Sequence, residues 1–292
     1  MKRLIFLFSL IFISVAVAQD NLRPALETTY SAWREAMIRK DPSSWQRVTA
    51  EHRRVEVQNR ILSEKLPFPA TLFALPAPPP SIQGLKFLEA KQNGATAKAS
   101  YFGKVDFGVG GEPTDNLLVL SFIKGSGGWL YDRADFVNLM SLPSVRKELL
   151  AGNLKYLKET PEAQPSGKVP LTPVAVRKAK YVAKAYVFCP GREVELQINK
   201  LSRHRFANAK EAQVVIGGAI DGSNEIQYRI KKLPGSTGKE VMTIRVYLMS
   251  EIPSAKPIKV FEYQIDPSEK AKPVDTEVFF VDEEITAKLG KR

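Results

Sequence analysis

The chain has few of the side chains that bind soft metals or form disulfides. Its 292 residues include one cysteine and two histidines. One cysteine excludes an intramolecular disulfide, and these three side chains cannot fill the four positions of a structural zinc site. The composition therefore predicts no metal and no other cofactor. Cys189 stands at the end of an apolar run, which favours a small buried hydrophobe over a reactive thiol.

Glycine-rich signatures of catalysis are also missing from the sequence. The segment Gly108–Gly111 lacks the third glycine and the following helix of a dinucleotide-binding loop. The segment Gly125–Gly127 lacks the spacer residues of a nucleophile elbow, and its position indicates a hairpin turn. Neither a nucleotide cofactor nor covalent catalysis is predicted, which favours a protein that is not an enzyme.

Only one long apolar run is present, and it stands at the N-terminus. Lys2 and Arg3 precede an apolar stretch from Leu4 to Val17, and residues 16–18 (Ala-Val-Ala) fit a small-x-small cleavage site. The run is shorter than the ~20 residues that span a bilayer, so a cleaved signal peptide is favoured over an uncleaved anchor. We expect residues 1–18 to direct export, a periplasmic or secreted mature protein, and no transmembrane segment within it.

Acidic side chains are outnumbered, 31 against 43 basic ones, and the formal net charge is +12. Removing Lys2 and Arg3 leaves +10, spread over both halves of the chain. A basic exported protein is biased toward anionic surfaces and polymers. The predicted partners are an unknown protein, a glycan or an anionic envelope polymer. Nucleic acid is disfavoured by export and by the acidic residues interleaved with the basic ones.

The densest basic cluster consists of Lys200, Arg203 and Arg205. It is a candidate basic patch for an anionic polymer. The alternative interpretation is a solvated loop, because runs of charge are usually exposed to water.

Helical periodicity marks the start of the mature chain. One amphipathic helix, ended by Asp41-Pro42, is predicted from apolar residues three or four positions apart: Leu22, Leu26, Tyr30, Trp33 and Met37. A second such run extends from Trp45 to Leu66, with Asp41 as its cap. Residues 67–80 contain six prolines, which predict an extended, polyproline-like loop.

The pattern then changes to a period of two. Predicted strands begin near Leu85, with Asn93-Gly94 as a strong hairpin signal. The strand at residues 116–123 is apolar throughout and is expected to be buried on both faces. Helices followed by antiparallel strands predict an α+β domain over residues 19–142, with the helices packed on a curved sheet.

Two short motifs in this region resemble a known superfamily. Ala32–Met37 followed by Lys40–Pro42 is similar to the helix and break that open nuclear-transport-factor-2-like (SnoaL-like) domains. Phe122–Lys124 with Gly127–Leu130 resembles the last hairpin of that fold. The resemblance, over residues 22–139, implies a cone whose sheet wraps a pocket closed by helices.

In that superfamily the pocket holds a catalytic Asp–His pair, a small ligand or only side chains. The candidate pocket residues here are Tyr30, Trp33, His52, Tyr101 and Asp106. His52 lies on the apolar stripe of the second helix, which favours a structural histidine over a general base. The spacing shows no Asp–His dyad, and Asp106 falls on the strand face opposite Tyr101. The sequence therefore gives no support for enzymatic activity.

The rest of the chain is predicted to be a linker followed by strands. A short helix and the prolines at 161, 165, 170 and 173 predict a linker over residues 143–176. Strands are predicted at 180–189, 193–199, 211–217, 224–231, 241–249, 258–265 and 276–281. Short strands separated by turn signals predict an antiparallel β-sandwich domain over residues 177–292.

Alternation within the strand at 241–249 assigns its faces. We expect Met242, Ile244, Val246 and Leu248 to point into the core. The segment Asp221–Ile226 resembles the Gly-x-Asn turns of immunoglobulin-like and carbohydrate-binding β-sandwich modules. That resemblance bears on fold more than on function.

Two functional hypotheses remain open beside a third, electrostatic attachment to an anionic polymer or lipid, which the net charge of +10 suggests. The favoured one is an exported, non-enzymatic binding or interaction protein of the cell envelope. The alternative is a small-molecule-binding protein, or an enzyme, that uses a pocket in the N-terminal cone. An open polar pocket would favour the alternative, and a cone filled by its own side chains would favour the first hypothesis.

Overall fold

A computed structural model describes residues 22–106, 112–267 and 269–290. The predictions for the signal peptide and for the glycine-rich loop at 108–111 concern residues outside these ranges. The described chain is mostly β, with a few helices and three four-stranded antiparallel sheets. It divides into two compact units: the first contains Met1–Arg54 and Leu72–Pro173, and the second contains Val55–Thr71 and Val174–Arg292. Among the described helices, none is long and apolar enough to cross a membrane.

Three helices follow one another at the start of the described chain: α1 (Leu22–Arg39), α2 (Pro42–Val48) and α3 (Glu51–Ser63). Asp41 caps α2 as predicted, because its carboxylate accepts hydrogen bonds from the Ser43 and Ser44 N–H groups at 3.0 and 3.1 Å. The chain leaves the helical path between α2 and α3, where the Ala50 N–H donates to the Tyr131 carbonyl oxygen at 2.8 Å. A contact with the sheet thus divides the run that periodicity predicted as one helix.

The proline-rich stretch is only partly an extended loop. A 3₁₀ helix forms at Ala70–Phe73. Further along, the carbonyl oxygens of Pro79 and Pro80 accept hydrogen bonds from Arg34 Nε and from the Tyr30 hydroxyl, each at 2.7 Å. Proline removes a donor but keeps its carbonyl acceptor, so α1 can hold this segment in place.

The first unit contains one antiparallel sheet with the strand order β1-β2-β3-β4. Its strands are β1 (Lys86–Asn93), β2 (Thr96–Val105), β3 (Thr114–Gly125) and β4 (Gly128–Asn138). The predicted hairpin joins β1 and β2, whose register pairs Asn93 with Thr96. Gly94 takes a φ of +53° in that turn, a conformation that glycine adopts readily.

Both faces of this sheet are covered. On one face Tyr101 and Leu120 pack in a cluster with Tyr30 of α1. On the other face Leu117 packs in a second cluster with Leu149 and Leu157. These two leucines belong to α4 (Pro143–Leu150) and α5 (Lys155–Glu159). The burial of β3 on both faces confirms the prediction from its apolar sequence.

Residues 143–173 belong to the first unit, whereas the prolines predicted a linker. The Gln164 side-chain oxygen accepts a hydrogen bond from Lys91 Nζ at 3.2 Å, and the Pro165 carbonyl oxygen accepts one from Asn93 Nδ2 at 3.2 Å. The Gly167 N–H donates to Thr96 Oγ1 at 2.9 Å. Prolines mark irregular backbone, but these side-chain hydrogen bonds tie that backbone to the β1–β2 hairpin.

The second unit contains two four-stranded sheets, with orders β11-β10-β5-β8 and β12-β9-β6-β7. Their strands are β5 (Ala183–Phe188), β6 (Arg192–Ile198), β7 (Ser202–Ala207), β8 (Lys210–Val214), β9 (Gly222–Lys232), β10 (Met242–Leu248), β11 (Ile258–Ile265) and β12 (Val274–Val281). A last helix, α6 (Glu283–Lys288), is capped by Asp282, whose carboxylate accepts from the Ile285 N–H.

The inward residues of both sheets form one buried cluster. It contains Met242, Ile244, Val246 and Leu248, each 0% exposed, which confirms the predicted core face of β10. Cys189 is buried in the same cluster, as predicted.

One strand of the second unit was not predicted. In β7 the buried positions are Ser202, His204 and Phe206, which alternate with exposed Arg203 and Arg205. Because two of the three buried side chains are polar, the apolar alternation that identifies a strand is weak here. The loop interpretation of this segment was therefore wrong.

The second unit also includes the later part of α3. The Asn59 side chain donates to the Val174 carbonyl oxygen at 2.8 Å and accepts from the Val176 N–H at 2.9 Å. Ser63 Oγ accepts from the Gly217 N–H at 2.8 Å. The boundary between the units therefore falls within α3, between Arg54 and Val55.

Candidate functional site

A histidine and an aspartate form a buried pair in the first unit. His52 Nε2 lies 2.8 Å from Asp132 Oδ1, and the two residues are 4% and 7% exposed. His52 stands in the first turn of α3, and Asp132 stands in β4. An imidazole held by a carboxylate can carry out general acid–base chemistry, and it can equally serve as a structural hydrogen bond.

A β-bulge brings Asp132 within reach of His52. The pairing of β3 with β4 shifts so that Ser121 faces Arg133 while Phe122 faces Tyr131. Asp132 is the extra residue, and a bulge of this kind re-aims a side chain. Strict alternation would place Asp132 on the face opposite Tyr131. The sequence-based prediction of no Asp–His dyad was wrong because it did not include this insertion.

Aromatic rings fill the helix-facing side of the same sheet. Tyr30, Tyr101, Phe122 and Tyr131 are each no more than 5% exposed. The Tyr131 ring is the centre of the group, with centroid distances of 4.1 Å to Trp33, 5.6 Å to Tyr30 and 6.1 Å to Phe122. We call these five residues the aromatic cluster.

Hydroxyl groups of the aromatic cluster bind to the protein itself. The Tyr30 hydroxyl donates to the Pro80 carbonyl oxygen at 2.7 Å, and the Tyr101 hydroxyl donates to Glu27 Oε1 at 3.1 Å. Burial raises the pKa of Tyr30, Tyr101 and Tyr131 above the ordinary value for a phenol. These groups therefore stay protonated and act as donors rather than as bases.

The predicted pocket residues are placed in three different ways. Tyr30, Trp33 and Tyr101 belong to the aromatic cluster. His52 adjoins it through Asp132, the residue that follows Tyr131 in β4. Asp106 is exposed, one residue beyond the end of β2, and lies apart from the buried surroundings of the other four.

Sequence reasoning missed three members of this region: Phe122, Tyr131 and Asp132. For Phe122 and Tyr131 a signal was available, since each is an aromatic side chain in a stretch whose sequence favours a strand, at residues 116–123 and 129–137. For Asp132 there was none, because its position depends on the bulge.

One residue of the candidate basic patch has an acidic partner. Lys200 occupies a turn with a φ of +59°, and Arg203 is exposed on β7. Arg205 Nη2 lies 2.5 Å from Glu193 Oε2 of the neighbouring strand β6. Glu193 lowers the positive charge at Arg205, whereas Lys200 and Arg203 form no ion pair in the described part of the chain.

Ser202, His204 and Gln213 form a buried line of hydrogen bonds in the second unit. Ser202 Oγ accepts from the Ile216 N–H at 2.7 Å, so its proton is directed to His204 Nε2, 2.7 Å away. His204 Nδ1 donates to Gln213 Oε1 at 2.9 Å. This order of donors requires a neutral imidazole. Ser202 is 0% exposed, so the line ties β7 to β8 and does not present a nucleophile.

Stability should depend on pH through His204. Burial lowers its pKa, and the hydrogen bond to Gln213 opposes this only in part. Below the ordinary histidine pKa of about 6.5 the unfolded chain takes up a proton that the folded chain does not. The contribution of His204 to the free energy of unfolding is therefore complete above about pH 6.5, and it declines as the pH falls below that value.

Urea unfolding followed by far-ultraviolet circular dichroism, at several pH values between about 5 and 7.5, measures this effect. A His204→Gln variant keeps side-chain hydrogen bonding but does not titrate, so its stability should vary less with pH. An identical pH dependence in the variant would contradict the assignment to His204.

The second unit presents aromatic rings on the outer surface of one sheet. The outward residues of the two central strands are Lys184, Tyr186 and Phe188 in β5, with Thr243, Arg245 and Tyr247 in β10. We call these six residues the β5–β10 face. Across the strands Tyr186 is opposite Arg245, and Lys184 is opposite Tyr247. All three rings are of intermediate exposure, so each keeps part of its surface in solvent.

Comparison with known proteins assigns no family to this chain. No family model matches it, and neither a curated protein nor a solved structure matches it significantly. Within the described ranges, no group of three or more His, Cys, Asp or Glu side chains is placed to hold a metal ion. The functional conclusion therefore depends on the geometry of the aromatic cluster, the His52–Asp132 pair and the β5–β10 face.

Proposed function

We propose that this chain is an exported, non-enzymatic binding or interaction protein of the cell envelope. The observation that carries the proposal is the aromatic cluster: Tyr30, Tyr101, Phe122 and Tyr131, all at most 5% exposed, pack between α1 and the sheet. A catalytic pocket needs room for a substrate beside its acid–base groups. Because the protein's own rings occupy this space, we interpret the bond between His52 and Asp132 as a structural tie between α3 and β4.

The proposed architecture is a cone followed by a β-sandwich. For the cone, the support is a four-stranded antiparallel meander with α1 packed on one face, together with the sequence motifs similar to nuclear-transport-factor-2-like domains. For the sandwich, the support is a single apolar cluster built from both sheets of the second unit. Sandwich sheets leave their outer faces to solvent, where binding surfaces can form.

Export rests on the sequence of residues 1–18. Expression of the sequence from Met1 in a bacterial host should yield a protein outside the cytoplasm whose N-terminus is Gln19. Replacing Ala18 with a bulky residue should block cleavage, since signal peptidases require a small side chain there. Intact-protein mass spectrometry distinguishes the processed and unprocessed chains. An unprocessed, cytoplasmic product would contradict the proposed export.

The experiment that tests the binding function is native mass spectrometry, combined with co-sedimentation on isolated envelope material. We expect the purified chain from Gln19 onward to carry no small molecule and to co-sediment with the envelope fraction. A stoichiometric small ligand that survives purification, or an absence of envelope binding, would contradict the proposal.

A second candidate function rests on the buried His52–Asp132 pair. A cone that opens would expose this pair to a small molecule, and the protein would then be a small-molecule binder or a cryptic enzyme. Turnover that is abolished by His52→Ala, in a variant that remains folded, would favour this candidate. Replacement of the exposed Asp106 by alanine is the matched control and should leave such turnover unchanged.

A further inference from the structure

The three rings of the β5–β10 face form no ring pair with one another or with the other described aromatic side chains. Other rings of the second unit do pair, as Tyr228 and Tyr263 do at a centroid distance of 4.8 Å. Within the described ranges, Tyr186, Phe188 and Tyr247 take part in no ring–ring or cation–ring contact. Each of the three rings keeps part of its surface in solvent, and the Tyr247 side chain also hydrogen-bonds to Arg245.

Cations surround these rings. Lys210 of β8 is opposite Phe188, and Lys259 of β11 is opposite Tyr247. With Lys184 and Arg245 they make four cations. The one carboxylate at these positions is Glu262, whose Oε1 lies 2.6 Å from Arg245 Nε and which also pairs with Lys259. Four cations against one carboxylate give this surface a formal charge of +3.

Two of the lysines are not neutralised. In the described part of the chain, neither Lys184 nor Lys210 forms an ion pair. On the outer surface of the other sheet, two cations have acidic partners: Arg205 pairs with Glu193 at 2.5 Å, and Lys231 pairs with Glu195 at 2.8 Å. Among the described residues of that surface, Arg203 forms no ion pair. Two cations without an acidic partner, Lys184 and Lys210, therefore lie beside the rings of the β5–β10 face.

This combination specifies the chemistry of a ligand. A sugar ring offers an apolar C–H face that packs on an aromatic ring, and an acidic sugar adds a carboxylate that lysine and arginine bind through charge-assisted hydrogen bonds. Outward side chains repeat every ~6.7 Å along a strand, and strands lie ~4.8 Å apart. The surface can therefore contact several successive units of a polymer.

We propose that the β5–β10 face binds an acidic polysaccharide. Tyr186, Phe188 and Tyr247 pack on sugar rings. Lys184 and Lys210 pair with sugar carboxylates. The assignment rests on the proposed function, since an exported protein meets polysaccharides rather than nucleic acid, whose bases and phosphates would otherwise suit the same surface.

The test uses the chain from Gln19 onward, with polygalacturonate as the probe and the dissociation constant as the readout. Neutral dextran, polyglutamate and single-stranded DNA are the comparison polymers. We expect polygalacturonate to bind more tightly than all three. The pair Tyr186→Ala and Tyr247→Ala should weaken that binding about tenfold or more. The matched control, Val278→Ala with Phe280→Ala, removes exposed apolar side chains from β12 of the other sheet and should leave binding unchanged.

A second pair of substitutions tests the charges. Lys184→Glu with Lys210→Glu should weaken binding at least as much as the aromatic pair, and raised salt should weaken wild-type binding. Arg203→Glu on β7 is the matched control. Circular dichroism shows whether the Tyr186→Ala, Tyr247→Ala double variant folds. If it does not, the Lys184→Glu, Lys210→Glu double variant decides the outcome, because charge reversal at the surface removes no core contact.

Three results would overturn the assignment: equal affinity for polyglutamate or DNA, equal affinity for dextran, or unchanged affinity in both variant pairs. Envelope co-sedimentation that both variant pairs retain would overturn the polysaccharide site while leaving the proposed function in place. If the wild-type chain does not co-sediment with the envelope fraction, both the polysaccharide site and the proposed function are overturned.

Discussion

Replacing Phe122 with alanine is expected to lower the free energy of unfolding of the first unit by about 3–5 kcal/mol. Phe122 is 1% exposed, it lies in a strand covered on both faces, and its ring borders Tyr131. The substitution removes buried apolar area and leaves a cavity that the surrounding sheet cannot close. Urea unfolding followed by tryptophan fluorescence measures the loss. This probe reports on the first unit alone, because Trp33, Trp45 and Trp129 all belong to it.

The control for this experiment is Leu150→Ala in α4 of the first unit. Leu150 is 52% exposed, so its truncation should change stability by less than about 0.5 kcal/mol. The new cavity at position 122 should also bind small apolar molecules and recover part of the lost stability. A loss below about 1 kcal/mol for Phe122→Ala would show that this ring lines open space, and it would favour the small-molecule hypothesis.

Asp132→Ala is expected to cost about 3 kcal/mol in the same assay. The substitution leaves the His52 Nε2 group buried without its partner at 2.8 Å, and an unsatisfied buried polar group carries its full desolvation cost. Asp132→Asn is the matched variant, because it keeps the size of the side chain and a hydrogen-bonding oxygen. Its loss should be clearly smaller.

A different outcome would change the interpretation of the pair. Catalytic groups are often held at the expense of stability, so removing one of them commonly stabilises a protein. A neutral or stabilising effect of Asp132→Ala would therefore contradict the structural tie and favour the acid–base role.

Much of the fold could be predicted from the spacing of apolar residues. This holds for helices and strands that are buried on one face or on both. Met242, Ile244, Val246 and Leu248 alternate with more exposed residues, and all four lie in the core. The cap at Asp41 is likewise a local effect, set by a carboxylate next to free N–H groups. Such features depend on neighbours within a few residues, which the sequence displays directly.

Features that depend on distant partners were not predictable in the same way. The interruption of the second helical run is caused by the bond from Ala50 to Tyr131, and the position of the 143–173 segment is set by hydrogen bonds such as that from Gly167 to Thr96. In the candidate site, burial of the aromatic residues could be expected from their residue type and their spacing in the sequence. The partner of His52 carries none, because Asp132 reaches it through an insertion in the strand pairing.

The division of α3 between the two units has a consequence for the order in which the protein is assembled. Residues 55–71 belong to the second unit, yet they are synthesised before Leu72–Pro173, which belong to the first. The hydrogen bond from the Gly217 N–H to Ser63 must wait for roughly 150 further residues, on the order of ten seconds of translation. The second unit can therefore fold completely only after its last strands have been synthesised. For the same reason, a fragment cut after Pro173 would leave residues 55–71 without their partners.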